Sequence, residues 1–208
     1  MIRHAVPVVE CFSVHPTPGA VRITSDNAMA MRLAVGHLVG MGHRRIAHLA
    51  GPSIGAEGDE RRQGFSDAMR ESGLTCHADC VVQVDTWGEF WGVGGDDGQL
   101  AHPPVEAVLA QDVTAVVCAN DLFALALWRG AEEKGLRVPE DLSITGMDNI
   151  LEGKLRGLTS VAQPFEQIGH AAVDAIIALL KGAGAAEASR VLPVELIERA
   201  SVAAPKRT

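Results

Sequence analysis

The chain has no tyrosine, and its 208 residues hold only three Trp and five Phe. Each aromatic side chain is therefore worth locating. No stretch approaches the roughly 20 apolar residues that a membrane-spanning helix needs, so no membrane partner is expected. Positive charge is also short. Lys and Arg total 18 against 26 Asp and Glu, a net charge of −8. Binding to nucleic acid rests on neutralising phosphates, so this chain by itself is a poor holder of DNA. Cysteines number four, and nothing in their spacing demands a disulfide, in keeping with a reducing cytosol. Cys118 lies in an apolar strand and reads as a buried thiol. Cys76-x3-Cys80 with His77 between could offer metal ligands, but no second ligand pair follows at zinc-site spacing. The N-terminus does not read as a signal peptide: Pro7 and Glu10 break its apolar run, and only Arg3 and His4 precede it. The expectation is a cytoplasmic protein without metal or cofactor.

What is present is an alternation of strand and helix. Hydrophobic residues make up 47% and charged residues 21%, ordinary for a soluble chain that fills one or two α/β lobes. Strands are expected at Val6–Val9, Val21–Ile23, Arg45–Ala50, Val81–Val84, Ala115–Ala119, the run ending at Asp148, and Val191–Ile197. Helices are expected over Ala28–Met41, Glu60–Ser72, Pro104–Ala110, Leu122–Lys134 and Gln167–Lys181. The last carries Ile168, Ala172, Ile176 and Leu180 on one stripe. Thr24 to Asn27 supply helix caps, while Gly42, Gly73 and Gly135 follow helices as terminators. Gly182–Ser189 is a small-residue loop, Ala203–Thr208 a frayed tail, and Asp85–Pro104 a glycine-rich loop with aromatics. Strands spaced by helices indicate βαβ units and largely parallel sheets.

Two strands release polar groups at their carboxyl ends. Ala115–Ala119 runs into Asn120-Asp121, and the short apolar strand within Val138–Asn149 ends at Asp148-Asn149. That edge of an open α/β sheet is where ligands bind. The plainer reading of Asp121 is a helix cap, and spacing leaves the two readings level. Arg61 and Arg62 open a helix, where a cation opposes the dipole and needs another reason to be there. A guanidinium offers a rigid fork of donors to ligand oxygens, although a salt bridge with Asp59 or Glu60 would also explain it.

Other motifs carry less. Gly51-Pro52-Ser53-Ile54-Gly55 matches the nucleophile-elbow pattern of a serine hydrolase, with Asp121 or Asp148 and then His170 in order. The elbow needs a helix that starts at the serine, whereas Gly55 to Asp59 reads as a flexible loop and His170 falls inside a helix. Gly92-Val93-Gly94-Gly95 fits no nucleotide-binding spacing. Trp87 could stack on a ligand face or pack beneath its own loop. His43-Arg44-Arg45 reads as a solvated turn.

Taken in order, a longer set of motifs resembles the effector-binding domain of the lactose-repressor (LacI/GalR) family of transcription regulators. The set comprises Pro7-Val8-Val9, Ser25-Asp26-Asn27, His37-Leu38-x4-Gly42-His43-Arg44-Arg45-Ile46-Ala47, Gly51-Pro52 and Arg61-x2-Gly64-Phe65. It continues through Ala119-Asn120-Asp121, Gly135-Leu136-x-Val138-Pro139-Glu140-Asp141-x-Ser143, Gly146-x-Asp148 and Leu158-Thr159-x-Val161-x-Gln163-Pro164. It ends with Leu192-Pro193-x-Glu195-Leu196-x-x-Arg199-x-Ser201. Single members are weak, and the ordered set is specific.

The resemblance implies an α/β fold of two Rossmann-like lobes with parallel sheets, like periplasmic sugar-binding proteins, with the first lobe incomplete. Residues 1–42 and 163–182 fall to the N-terminal lobe, and 43–162 and 190–202 to the C-terminal one. It implies a cleft where Arg61 clamps the ligand with Asn120 and Asp148 as polar partners, and where Trp87, Gln163 and Phe165 contribute. Asp121 is then left to hold the start of its helix. The implied function is non-catalytic sensing of a sugar or related polyol, or less readily a purine. A homodimer would pass the signal to operator DNA through an N-terminal helix-turn-helix head absent from this chain. A truncated first sheet would expose a strand edge and apolar helix faces. The alternatives are a sugar-binding component of a transporter, which shares the fold, and a hydrolase acting through Ser53.

Overall fold

The computed structural model describes residues 6–12, 16–52, 55–75, 80–84 and 103–206. Six strands form the larger sheet: β3 (Ile46–Ala50), β4 (Val81–Gln83), β5 (Ala115–Cys118), β6 (Ser143–Met147), β7 (Thr159–Ala162) and β9 (Glu195–Ile197). Their order is β4-β3-β5-β6-β7-β9, parallel except where β9 pairs antiparallel with β7. A smaller parallel sheet joins β1 (Val9–Cys11), β2 (Val21–Ser25) and β8 (Arg190–Leu192).

Both faces of the larger sheet are covered, so its central strands β3, β5 and β6 are buried throughout rather than alternating between buried and exposed. Helices α1 (Asn27–Gly40) and α2 (Ala56–Glu71) bury Met31, Leu38, Phe65 and Met69 against one face. Helix α4 (Asp121–Glu133) buries Phe123 and Leu127 against the other, where α3 (Pro103–Leu109) contributes Val108. Short α5 (Leu151–Arg156) follows β6 and ends at Gly157 in the left-handed conformation. Helix α6 (Phe165–Leu180) and short α7 (Ala185–Ala188) cover the small sheet, packing Ile168, Ala175 and Ala188 on Val21 and Ile23.

Several sequence-based boundaries move. Helix α1 follows β2 of the small sheet but packs on the large one, burying Met31, Val35 and Leu38 with Ile46, Val117 and Met147. The expected single strand Val191–Ile197 is two strands in different sheets, broken at Pro193, a residue that cannot donate to a ladder. The tail is not frayed as far as Lys206. Ala203 exchanges hydrogen bonds with Ser143 and accepts one from His43, and Lys206 pairs with Asp141. His43 is accordingly buried, not part of a solvated turn. Cys80 is disulfide-bonded, a bond its spacing did not demand and one that leaves no thiolate for a metal. The expected stripe on α6 is only half covered: Ile168 is buried, while Ile176 and Leu180 are 38% and 70% exposed. Exposed Val173 and Ile177 extend that apolar face.

Two buried features tie this packing to the edge where β3, β5 and β6 end. The first is Gly64 on α2. A Cβ there would lie 2.9 Å from the Ala28 Cα, so the helices approach closely only because no side chain intervenes. That approach brings Asn27 beside Arg61. The second is His48 on β3, fully buried and stacked on Phe65 with ring centroids 5.0 Å apart. Its Nδ1 lies 2.8 Å from the Val117 carbonyl and so carries the proton, while Nε2 has no partner among the described residues. Burial pulls its pKa down to about 4, against the Val117 carbonyl and aided by the charges of Arg61 and Arg62.

Gly64→Val should therefore force α1 off α2 and lower stability by about 1–3 kcal/mol in urea unfolding. His48 gives a pH signature. Its folded pKa lies below its unfolded value, so it contributes stability above pH 6.5 that is lost as pH falls towards about 4. His48→Phe should flatten that part of the stability–pH curve; an unchanged slope would refute the assignment.

Candidate functional site

The chain crosses between the two sheets three times among the described residues: from β2 into α1, from β7 into α6, and from β8 into β9. The first two crossings lie beside the carboxyl edge of the large sheet. Side chains from both sheets meet there.

Arg61 is at the centre. Helix α2 starts at Ala56, with Glu57 and Asp59 in its first turn, so Arg61 lies in the second turn and does not oppose the dipole as expected. Its neighbour Arg62 follows the plainer expectation and pairs with Asp59 at 2.6 Å. Arg61 turns inward, with only 13% of its side chain exposed. Its Nε donates to Asn27 Oδ1 and its Nη1 to the Ala119 carbonyl, both at 2.8 Å. Its Nη2 lies 3.8 Å from Glu57, one helical turn back. Burial lowers the Arg61 pKa, opposed first by the charge of Asp148 and then by Glu57 and Glu60. Asn27 itself is fixed by donating to Glu60 at 2.8 Å. Burial likewise raises the Glu57 carboxyl, and Arg61 draws it back.

Asp148 leaves β6 with φ at 107°, and Asn149 follows at 56°. Asp148 Oδ1 accepts a hydrogen bond from Gln163 Nε2 at 2.5 Å. Gln163 Oε1 accepts in turn from Ser25 Oγ at 2.6 Å. This Ser25–Gln163–Asp148 relay links the end of the small sheet to the end of the large one. Burial raises the Asp148 pKa, while Arg61 and Gln163 favour its charge. Arg61 and Asp148 thus influence one another, yet no oxygen of Asp148 comes within 4.0 Å of the guanidinium. Each is held by its own protein partners, and the two are not paired with one another.

Asn120, not Asp121, caps α4, the helix that follows β5, its Oδ1 accepting from Phe123 N–H at 2.8 Å. Its Nδ2 amide has no partner among the described residues, which leaves one donor at the cleft. Asp121 does not hold its own helix. Its carboxylate accepts from Ser160 Oγ at 2.6 Å and from Ile150 N–H at 2.8 Å. Phe165 starts α6 half exposed and meets the Phe12 ring, with centroids 5.6 Å apart. Trp87, Ser53, Cys76, His77 and the Gly92–Gly95 run lie outside the described residues. The hydrolase arrangement does not assemble around the rest: His170 is exposed on α6, and Asp121 and Asp148 are committed to the partners above.

Ser25, Asn27, Glu57 and Glu60 were not anticipated as site residues. Ser25 and Asn27 stood in a recognised motif but were read as caps, and Asp26 is the residue that caps α1. Glu57 stands four before Arg61, a helical pairing that was visible once the helix start was known.

Comparison with known proteins agrees with this fold. Residues 35–202 match the family described as a periplasmic binding protein-like domain. The chain is 34% identical over 183 residues to the HTH-type transcriptional regulator MalR of Streptomyces coelicolor, covering 87% of this chain and 52% of that protein. It is 33% identical over 206 residues to the HTH-type transcriptional repressor CytR of Escherichia coli K12, covering 97% and 58%. The chain thus spans little more than half the length of these relatives. Among solved structures, a periplasmic binding protein/LacI transcriptional regulator from Alkaliphilus metalliredigens complexed with D-xylulofuranose superposes with a TM-score of 0.79. That match has 25% identity and covers 97% of this chain and 72% of the other. This chain belongs to the family of periplasmic binding protein-like domains, in the form that LacI-type transcriptional regulators carry.

Proposed function

We propose that the cleft at Arg61 and Asp148 senses an uncharged, hydroxyl-rich small molecule, a sugar or polyol. One observation carries this reading. A largely buried cation and a partly buried anion lie at one sheet edge, each anchored by its own protein partners and neither paired with the other. A hydroxyl both donates and accepts, so it can bridge Arg61 to Asp148 and take the spare Asn120 amide as a further donor. The local charge argues against an anionic ligand: Glu57, Glu60 and Asp148 are three carboxylates, set against the two guanidiniums of Arg61 and Arg22. The sugar complex of the Alkaliphilus relative supports the same ligand class. Phe165 supplies apolar surface at the rim, and Gln163 acts from behind Asp148.

The relatives named above are regulators, which favours sensing over transport or catalysis. In this reading the ligand ties residues from the β2–α1 and β7–α6 crossings to the ends of β5 and β6. It biases the two sheets towards one arrangement. A homodimer in the cytoplasm then transmits that bias to operator DNA through a head outside this chain. Among the described residues no helix is long and apolar enough to cross a membrane.

Titration calorimetry at neutral pH tests the ligand class. The panel is D-ribose, D-xylulose, cellobiose, cytidine, adenine and D-ribose 5-phosphate. An uncharged hydroxylated member should bind, and Arg61→Lys should weaken it at least about tenfold, because an ammonium cannot keep both anchors and reach the ligand. Preference for the phosphorylated sugar, or full affinity in Arg61→Lys, would overturn the reading.

A further inference from the structure

We propose that Asp121 is a positioning residue of the cleft: with Ser160 it staples the Asp148–Asn149 turn that presents the Asp148 carboxylate. The role of Asp148 rests on the sensing function proposed above; the staple rests on geometry alone.

The turn needs a staple. Asp148 and Asn149 are consecutive non-glycine residues with φ of 107° and 56°. Side chains disfavour that region, and such residues persist only where their surroundings over-determine them. Here the surroundings converge. Asp148 N–H donates to the Val161 carbonyl at 2.9 Å. Asn149 N–H donates to Ser160 Oγ at 3.0 Å, and Asn149 Oδ1 accepts from Arg199 Nη2 at 2.6 Å. Ile150 N–H donates to Asp121 Oδ2 at 2.8 Å. Because Ser160 Oγ accepts from Asn149, its own proton points to Asp121 Oδ1, 2.6 Å away. Two successive amides of the turn therefore end on one buried carboxylate, one directly and one through a hydroxyl.

The neighbouring elements leave room for that carboxylate and for little else. A Cβ on Gly146 of β6 would fall 2.1 Å from Asp121 Oδ1, and one on Gly153 of α5 would fall 3.1 Å from Oδ2. Both glycines have ordinary negative φ, so conformational freedom does not explain them; the space does. A helix cap would not require this slot, and Asn120 already caps α4.

The staple requires the charged form. A proton on Oδ2 would face the Ile150 N–H. A proton on Oδ1 would face the Ser160 hydroxyl hydrogen, which would have to turn away from its acceptor. Burial pushes the Asp121 carboxyl up to about 6, against the Ser160 and Ile150 hydrogen bonds. The charged groups that bear on it are Asp148, which raises it further, and Arg199, which lowers it. The Cys118 thiol on β5, pushed up by burial, is neutral across this range. The folded pKa lies above the unfolded value of 3.8, so protonation between about 6 and 3.8 favours the folded chain while loosening the turn. A purely structural carboxylate would not show those opposite signs.

The experiment is nuclear magnetic resonance on the ligand-free chain between pH 7.5 and 4.5. The Asp121 carboxyl carbon and the Asn149 and Ile150 amides should titrate together with a midpoint near 6. Protection of those two amides against exchange should fall about tenfold below the midpoint, while strand β5 stays protected. In Asp121→Asn the step should vanish and both amides should exchange quickly at every pH. Ser160→Ala should move the midpoint upward, because the carboxylate loses a donor; it serves if Asp121→Asn does not fold. Amides that do not titrate, a midpoint near the ordinary 3.8, or an unmoved midpoint in Ser160→Ala would overturn the staple. D-ribose, D-xylulose, cellobiose and cytidine, each added at pH 7.5, separate the two claims. Titrating amides with none of the four bound would leave the staple and sink the sensing reading, and the reverse result would do the opposite.

Discussion

The site depends on one electrostatic constraint: a guanidinium that cannot shed its charge is placed almost out of water at Arg61. A buried charge must be surrounded by acceptors, or its desolvation is not recovered. The surrounding groups follow from that need. Asn27 turns its carbonyl oxygen to Nε, the Ala119 carbonyl at the end of β5 takes Nη1, and Glu57 lies one helical turn away. These partners come from α1, from the edge of the large sheet and from α2 itself. Holding the cation therefore fixes three elements relative to one another. Gly64 permits this by letting α1 lie against α2.

The opposite charge is managed by a separate route. Asp148 is stabilised through Gln163 and Ser25, groups that belong to the crossings between the sheets. Had Arg61 and Asp148 been allowed to meet, they would have satisfied each other and closed the site. Kept apart, they leave mutually attractive charges across a gap, with a hydrogen-bonding demand that a hydroxylated ligand meets. The same groups connect the small sheet to the large one, so occupancy and sheet arrangement share residues. That sharing is the physical basis for a sensor, because a ligand can shift an equilibrium only through contacts that differ between its states.

The alternation of elements was legible in the sequence because buried parallel strands such as Ala115–Cys118 are short, wholly apolar and followed by polar caps. The positions of Asn120 and Asp148 at one sheet edge were legible for the same reason, while Arg61 joined them only through the family resemblance. Their division of labour was not. Asn120 and Asp121 are adjacent and both capable of capping, and only the fold shows that Asp121 faces the β6 turn through a slot left by Gly146 and Gly153. Nor could periodicity reveal that α1 leaves one sheet to pack on the other, since its apolar face would suit either. The break of the last strand at Pro193 was written in the sequence, but its consequence, two strands in two sheets, depends on pairing partners far along the chain.

The central claim is that the gap between Arg61 and Asp148 is where the ligand binds. Amide chemical-shift mapping during titration with D-ribose or D-xylulose tests it most directly. Saturable shifts should concentrate on Asn27, Arg61, Asn120, the Asp148–Ile150 turn and Gln163. Shifts confined to another part of the molecule, such as the open cavity lined by Arg44, Arg45 and Asp112 at the far end of β3, would contradict the account.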